Sequence, residues 1–140
     1  VFGRKDYQQW KTLARLARDL DMPIEVLGCP IIREPDGLAL SSRNRYLSDD
    51  ERARALAIVT GLRAAHDAWA AGERDPGQLR AVAATPVERA FDRVDYVAAV
   101  DSETLLPTDG TRGRLLIAVA AHLGGTRLID NLVLGEDPRP

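Results

Sequence analysis

The chain has 140 residues, 45% of them hydrophobic and 29% charged; this is globular usage, which excludes a disordered, collagenous or low-complexity chain and leaves room for one full domain or a little more. Nineteen Lys and Arg against 21 Asp and Glu give a net charge of -2, without the basic excess of a nucleic-acid binder, so no DNA or RNA partner is expected. A single cysteine allows no intramolecular disulfide and no cysteine-built zinc site, and no apolar run approaches the roughly 20 residues that cross a bilayer; a soluble protein in a reduced, cytoplasmic setting is expected, with no membrane partner.

The chain enters abruptly on VFGRKDYQQW, with no leading strand, as a fragment of a longer protein would. Between Tyr7 and Leu20, the apolar residues Trp10, Leu13, Ala14, Ala17 and Leu20 recur at spacings of three and four, which predicts an amphipathic helix capped by Asp6. Pro23 to Leu27 then reads as a short strand, with Pro30-Ile31-Ile32 extending it past Gly28. A helix followed by a strand is half of a βαβ unit, whose first strand would precede Phe2 and is therefore expected to be missing.

From Arg33 to Leu47 the period is lost: EPDG is a turn, and LALSSRNRYL is a polar, arginine-bearing surface loop. Ser48-Asp49-Asp50-Glu51 is a capping box opening a long helix that carries Leu56, Val59, Leu62, His66 and Trp69 and stops at Gly72. Asp75-Pro76 starts a shorter helix with Leu79 and Val82, expected to end near Thr85-Pro86. Val94 to Val100, Leu115 to Ala121 and Thr126 to Leu134 read as three strands, the first two joined by a Pro/Gly/Thr/Asp connection over Leu105 to Arg114. A boundary near Leu47 divides the chain into residues 1–47, an α/β remnant, and 48–140, an α+β module of two helices and three strands.

Two polar clusters offer chemistry. Gly3-Arg4-Lys5-Asp6 lies at a helix entrance, where a glycine, free first-turn amides and a mobile cation suit a phosphate; a capped helix with solvated charges is the plainer reading. Ser41-Ser42-Arg43-Asn44-Arg45 places two hydroxyls and two guanidiniums in one loop, the donors that phosphoryl and adenylyl transfer need around a phosphorus centre; solvated surface charge is the alternative. The two clusters make a bipartite phosphate site if the loop folds back over the helix entrance. His66 reads as a packed boundary residue, and His122 has no carboxylate at metal-ligand spacing, so no metal site is assigned. Cys29 reads as a buried small thiol, Trp10 and Trp69 as core, and Asp130-Asn131 with Arg127 as a pair closing the last strands.

FGRKDYQQW, GCPIIREPDGLALSSRNRYLS and GRLLIAVAAHLGGTRLIDN strongly resemble, in order and spacing, the second half of the pantothenate synthetase family, over about Val1 to Val133. That resemblance implies an α/β fold related to class I aminoacyl-tRNA synthetases: the C-terminal remnant of a Rossmann-like nucleotidylyltransferase domain followed by a small α+β domain. It implies an AMP-forming ligase that joins pantoate to β-alanine through a pantoyl adenylate, using ATP with Mg2+, in a protein that is a homodimer when intact. By position, Gly3 and Asp6 resemble ribose-contacting residues and Lys5 the phosphate-binding cation. Gln9 resembles a pantoate contact, Ile32 a backbone contact to adenine, and Leu40-Ser41-Ser42-Arg43 the mobile phosphate-binding signature. Lys5, Ser42 and Arg43 are the expected catalytic groups.

Arg4 stands where the family usually has Glu and is expected to add positive charge beside the ATP site. The family's first half, with its histidine-bearing phosphate motif and most of its β-alanine pocket, has no match here, so the 140-residue chain alone is expected to be inactive. The alternatives are another adenylyl- or cytidylyltransferase of the same superfamily and a non-catalytic truncated remnant.

Overall fold

A computed structural model describes residues 1–111 and 113–140. Arg112, within the expected 105–114 connection, lies outside the described residues. The N-terminal part is a minimal βαβ unit: β1 (Phe2–Gly3), α1 (Tyr7–Asp19) and β2 (Gly28–Cys29), with β1 parallel to β2 and Phe2 opposite Gly28. Phe2 and Gly3, expected to lie after the partner strand, therefore pair with β2 themselves. The expected strand from Pro23 to Leu27 does not form, since ladder pairing begins only at Gly28 and Ile24 and Leu27 are exposed. Asp6 caps α1 as expected, its carboxylate accepting from the Gln9 N–H. Trp10 fixes how α1 sits on β2, because its indole N–H donates to the Val26 carbonyl at 3.2 Å and its ring lies over Gly28. A Cβ on Gly28 would fall 2.4 Å from that ring, so the helix can approach only over glycine.

The rest of the chain folds as α2 (Asp49–Ala70), α3 (Pro76–Ala90), β3 (Arg93–Asp101), β4 (Leu115–Leu123) and β5 (Thr126–Val133). The three strands form an antiparallel sheet in the order β3-β4-β5. One face packs on α2 and α3: Ile58, Leu62, Leu79, Val87, Val97, Ile117, Val119, Leu128 and Leu132 belong to one continuous core. On the other face, Tyr7 of α1 packs on Leu116 and Val133, with Trp10 and Val100 beside them. The α1 entrance, and with it the first polar cluster, thus rests on the face of the sheet that α2 and α3 leave open.

The Ser48 capping box forms in full, with the Ser48 side chain accepting from the Glu51 N–H and the Glu51 carboxylate accepting from the Ser48 N–H. The buried stripe of α2 runs through Ala55, Ile58, Val59, Leu62 and Ala65, leaving Leu56, His66 and Trp69 half-buried at its margin. The helix α3 does not end at Thr85-Pro86. It carries Pro86 inside it and continues to Ala90, held by burial of Ala83, Ala84 and Val87. Proline removes one helix hydrogen bond on the side where Val82 and Thr85 are exposed, and the Thr85 hydroxyl donates to the Ala81 carbonyl. Trp69 packs at the edge of the core with Arg74 stacked on its ring at 3.9 Å, and Cys29 is exposed, because the two-residue β2 leaves that side uncovered.

Candidate functional site

The loop after β2 is built on a rigid stem. Arg33 and Ala39 form an antiparallel bridge around the turn at Glu34-Pro35-Asp36-Gly37, with Gly37 at φ 96° closing onto the Glu34 carbonyl. Glu34 accepts from the Asn44 amide at 2.6 Å and from Arg52 of α2 at 2.7 Å, and Asp36 accepts from Arg52 at 2.7 Å. The Arg52 guanidinium holds both carboxyls below the usual carboxylate range; Asn44 adds to the effect at Glu34 and the Leu38 N–H at Asp36. Beyond this stem, the expected open loop contains a 3-10 helix, Ser42–Tyr46, whose cap Ser41 accepts from the Arg43 N–H at 3.3 Å. Asn44 is buried under that turn, while Leu40, Ser42, Arg43 and Arg45 face solvent. The Ser42 and Arg43 side chains make no hydrogen bond among the described residues, and Arg45 stacks on Tyr46.

The loop does fold back over the helix entrance. Lys5, between β1 and the Asp6 cap, donates through Nζ to the Leu40 carbonyl at 3.3 Å, joining the two polar clusters that the sequence separates by 35 positions. Burial and the positive charges of Arg43 and Arg33 hold the Lys5 ammonium below its ordinary value, against the opposing charges of Asp130 and Glu34. Cations gathered in this way favour an incoming anion. Gly3 is exposed, with nothing within 4 Å of where a Cβ would sit, so the backbone there is open to a ligand. Ile32 is 70% exposed, and its carbonyl accepts from the Leu40 N–H at 2.8 Å.

A cleft of about 220 Å³ opens beside Lys5, between the α1 entrance and the bare sheet face, lined by Lys5, Asp6, Gln8, Ala98, Ala118 and Ile129. Gln9 does not line it. It shares a separate shallow depression with Asp6, Gln8 and Thr12. Arg4 also points elsewhere: its guanidinium pairs with Glu136 at 2.8 Å and with Asp137 at 3.0 Å, so its charge is neutralised by the 134–140 segment instead of being added to the Lys5 cluster. Among the described residues, no group of three or more His, Cys, Asp or Glu is arranged to hold a metal. Of the carboxylates near Lys5, Asp130 is taken up by Arg33, Glu34 by Arg52, and Asp6 caps α1 through the Gln9 N–H, so this donor set does not make a Mg2+ site of its own.

Residues 1–133 match the family model described as pantoate-beta-alanine ligase. The chain belongs to that family. It is 51% identical over 138 residues to the pantothenate synthetase of Acidobacterium capsulatum, covering 98% of this chain and 46% of that protein. Against the pantothenate synthetase of Anaeromyxobacter dehalogenans the identity is 53% over 131 residues, 94% of this chain and 45% of that one. The crystal structure of pantothenate synthetase from Thermus thermophilus superposes with a TM-score of 0.86 at 39% identity, covering 94% of this chain and 48% of that chain. The chain thus spans about half the length of the pantoate–β-alanine ligase relatives it matches.

Several groups that hold this site together are not assigned to it by the sequence. Asp130 is expected there to pair with Arg127; it pairs instead with Arg33, through two contacts at 2.7 and 3.1 Å, and Arg127 goes to Asp95 at 2.8 Å. Asn131 donates from its side-chain amide to the carbonyls of Arg4 and Lys5 at 2.8 and 2.9 Å. The available signal is two adjacent polar residues inside an apolar strand, which buried strands rarely carry without a partner. His122 does meet a carboxylate, Asp95 at 2.9 Å, yet Arg93 and Arg127 share that carboxylate on the surface.

Proposed function

We propose that this chain supplies the phosphate-binding part of a pantothenate synthetase, which condenses pantoate with β-alanine at the expense of ATP, giving pantothenate, AMP and pyrophosphate. The observation that carries the reading is the contact of Lys5 with the Leu40–Arg43 loop, which gathers Lys5, Arg33 and Arg43 at the entrance of α1. The chain is read as the end of the nucleotide-binding domain up to residue 47 and a C-terminal domain from 48. Gly3 and Asp6 would meet the ribose, the backbone at Ile32 the adenine, and Gln9 the pantoate.

In the first step, a pantoate carboxylate oxygen bonds to the α-phosphorus while the bond from that phosphorus to the pyrophosphate oxygen breaks. Negative charge grows on the leaving pyrophosphate, where Lys5, Arg43 and the hydroxyls of Ser41 and Ser42 can donate. Because the stem beneath the loop is already fixed by Glu34, Asn44 and Arg52, those donors need little reorganisation as the charge develops. In the second step, the β-alanine amine bonds to the acyl carbon, the bond from that carbon to the AMP oxygen breaks, and the nitrogen gives up a proton to solvent as the amide forms. The described residues offer no second phosphate-binding cluster and no enclosed amine pocket, so the remaining contacts would come from a region like the first half of the relatives.

The test is pantoate-dependent exchange of pyrophosphate into ATP, with this chain alone and with a separately expressed N-terminal half of a close relative. Exchange in the mixture, lost with Lys5→Ala, is the expected result. Full exchange by the chain alone overturns the division of labour, and exchange in the mixture that Lys5→Ala leaves intact overturns the site.

A further inference from the structure

We propose that Asp130 and Asn131 are positioning residues that set Lys5 and the Ser41–Arg43 loop relative to each other by clasping the outer edge of β5 from both faces; this rests on the reading of those groups as the phosphate site. The strand lies at the edge of the sheet, and successive side chains along it point to opposite faces. Asp130 is in line with Leu128 and Leu132, which join the core under α2 and α3, and Asn131 is in line with Val133, which packs on Tyr7 of α1. Two neighbouring residues of one strand therefore reach the two halves of the site from opposite sides.

On the first face, the Asp130 carboxylate is 3% exposed and takes both terminal nitrogens of Arg33, at 2.7 and 3.1 Å. Arg33 is the first residue of the loop's stem, and its guanidinium also donates to the Gly37 carbonyl across the turn at 3.0 Å. A two-pronged pair of this kind fixes direction as well as distance. On the second face, the Asn131 amide spends both of its N–H groups on the consecutive carbonyls of Arg4 and Lys5. Those carbonyls lie where the chain leaves β1 and has not yet entered α1, the point at which the Lys5 side chain takes its direction toward Leu40. A strand dipeptide thus holds the lysine's backbone with one residue and the loop's stem with the other.

The burial of Asp130 pushes its carboxyl above the usual range while Arg33 pulls it back. A carboxylate kept in so dry a place, where an apolar residue would pack more easily, is what a directional constraint requires.

The experiment uses the two lysines of the chain, Lys5 and Lys11, as reporters. Acylation of each by an amine-directed reagent is followed against pH by peptide mass spectrometry, and amide hydrogen exchange is followed over residues 33–44. Asn131→Leu, which keeps a branched side chain without donors or charge, is expected to move the Lys5 midpoint upward toward an ordinary lysine while Lys11 stays put and far-UV circular dichroism is unchanged. Asp130→Asn is expected to speed exchange in the loop stem by about tenfold or more, the loss that follows removal of a charged hydrogen-bonded pair. If Asp130→Asn does not fold, Arg33→Gln opens the same pair from its more exposed side and should give the same loosening. An unmoved Lys5 midpoint in Asn131→Leu together with unchanged stem exchange overturns the clasp. These readouts need no ligase activity, so failure of the clasp and failure of the functional reading are separately visible.

Discussion

Replacing Gly61 with alanine tests how tightly the helical layer is set against itself. Gly61 lies inside α2 at the crossing with α3, and a Cβ there would fall 2.3 Å from the Ala83 carbonyl oxygen and 3.2 Å from its carbon. An ordinary carbon–oxygen approach is about 3.3 Å or more, so the helices would have to part by about 1 Å. The obstacle is backbone, and the neighbours Ile58, Leu62, Leu79 and Val87 are almost fully buried, so no flexible side chain can relieve it. Overpacking of this kind costs about 1–3 kcal/mol, while alanine in a helix interior returns about 1 kcal/mol relative to glycine. A net loss of up to about 2 kcal/mol is expected, which for this length lowers Tm by up to about 6 °C. Thermal circular dichroism measures it, with Gly125→Ala as a control, since nothing lies within 4 Å of that position and its Tm should hold. A Gly61→Ala protein that melts higher than the parent would mean that helix propensity alone governs the site and that the close crossing does not exist.

Ser48→Ala removes the capping box of α2 and should destabilise the chain by about 0.5–2 kcal/mol, read from urea unfolding. Ser42→Ala and Arg43→Ala should leave Tm within about 2 °C, because neither side chain has a hydrogen-bond partner among the described residues, yet each should slow pyrophosphate exchange in the reconstituted mixture by about 10- to 1000-fold. Asp95 is held down to about 2 by hydrogen bonds from Arg127 and then His122, below its unfolded value of 3.8. Its contribution to stability is therefore present above pH 3.8 and lost as pH falls toward 2. Asp95→Asn should flatten that part of the stability profile in denaturant melts at stepped pH. Arg4→Glu would set a third carboxylate against Glu136 and Asp137, and limited proteolysis should find residues 134–140 cut faster than in the parent.

Where a signal is local, the sequence carries it. The Ser48 box, the Asp75-Pro76 start and the three strands of the sheet depend on caps, a fixed φ and apolar, β-rich runs, all of which act within a few residues. The misreadings share the opposite origin. Pro23 to Leu27 has strand composition, but a strand needs a neighbour, and pairing is confined to Gly28 and Cys29 opposite Phe2 and Gly3. Pro86 reads as a helix end because its ring breaks the local rule, and burial of Ala84 and Val87 against the sheet overrides it. At the site, the candidate residues Lys5, Ser42 and Arg43 are singled out by type and motif, and the structure brings Lys5 to the loop that carries the other two. Their support is not: Asp130 for Arg33, Asn131 for Lys5 and Arg52 for Glu34 are pairings across the fold that no spacing announces.

The clasp on β5 also sets an order of events during synthesis. Lys5 leaves the ribosome long before the amide that fixes its backbone, which belongs to Asn131, 126 positions later; the Arg33–Asp130 pair spans 97. Chains are made from the N-terminus, and contacts this distant close only after the intervening loop entropy has been met. The α2–α3 pair and the β3–β4 hairpin can be complete on a nascent chain while Lys5, Arg33 and Arg43 still lack their final geometry. A product stopped before β5 would then be compact and would carry Lys5, Ser42 and Arg43 without an assembled site. Emergence of the β5 strand, not collapse of the core, would mark the moment at which the two polar clusters take their final arrangement.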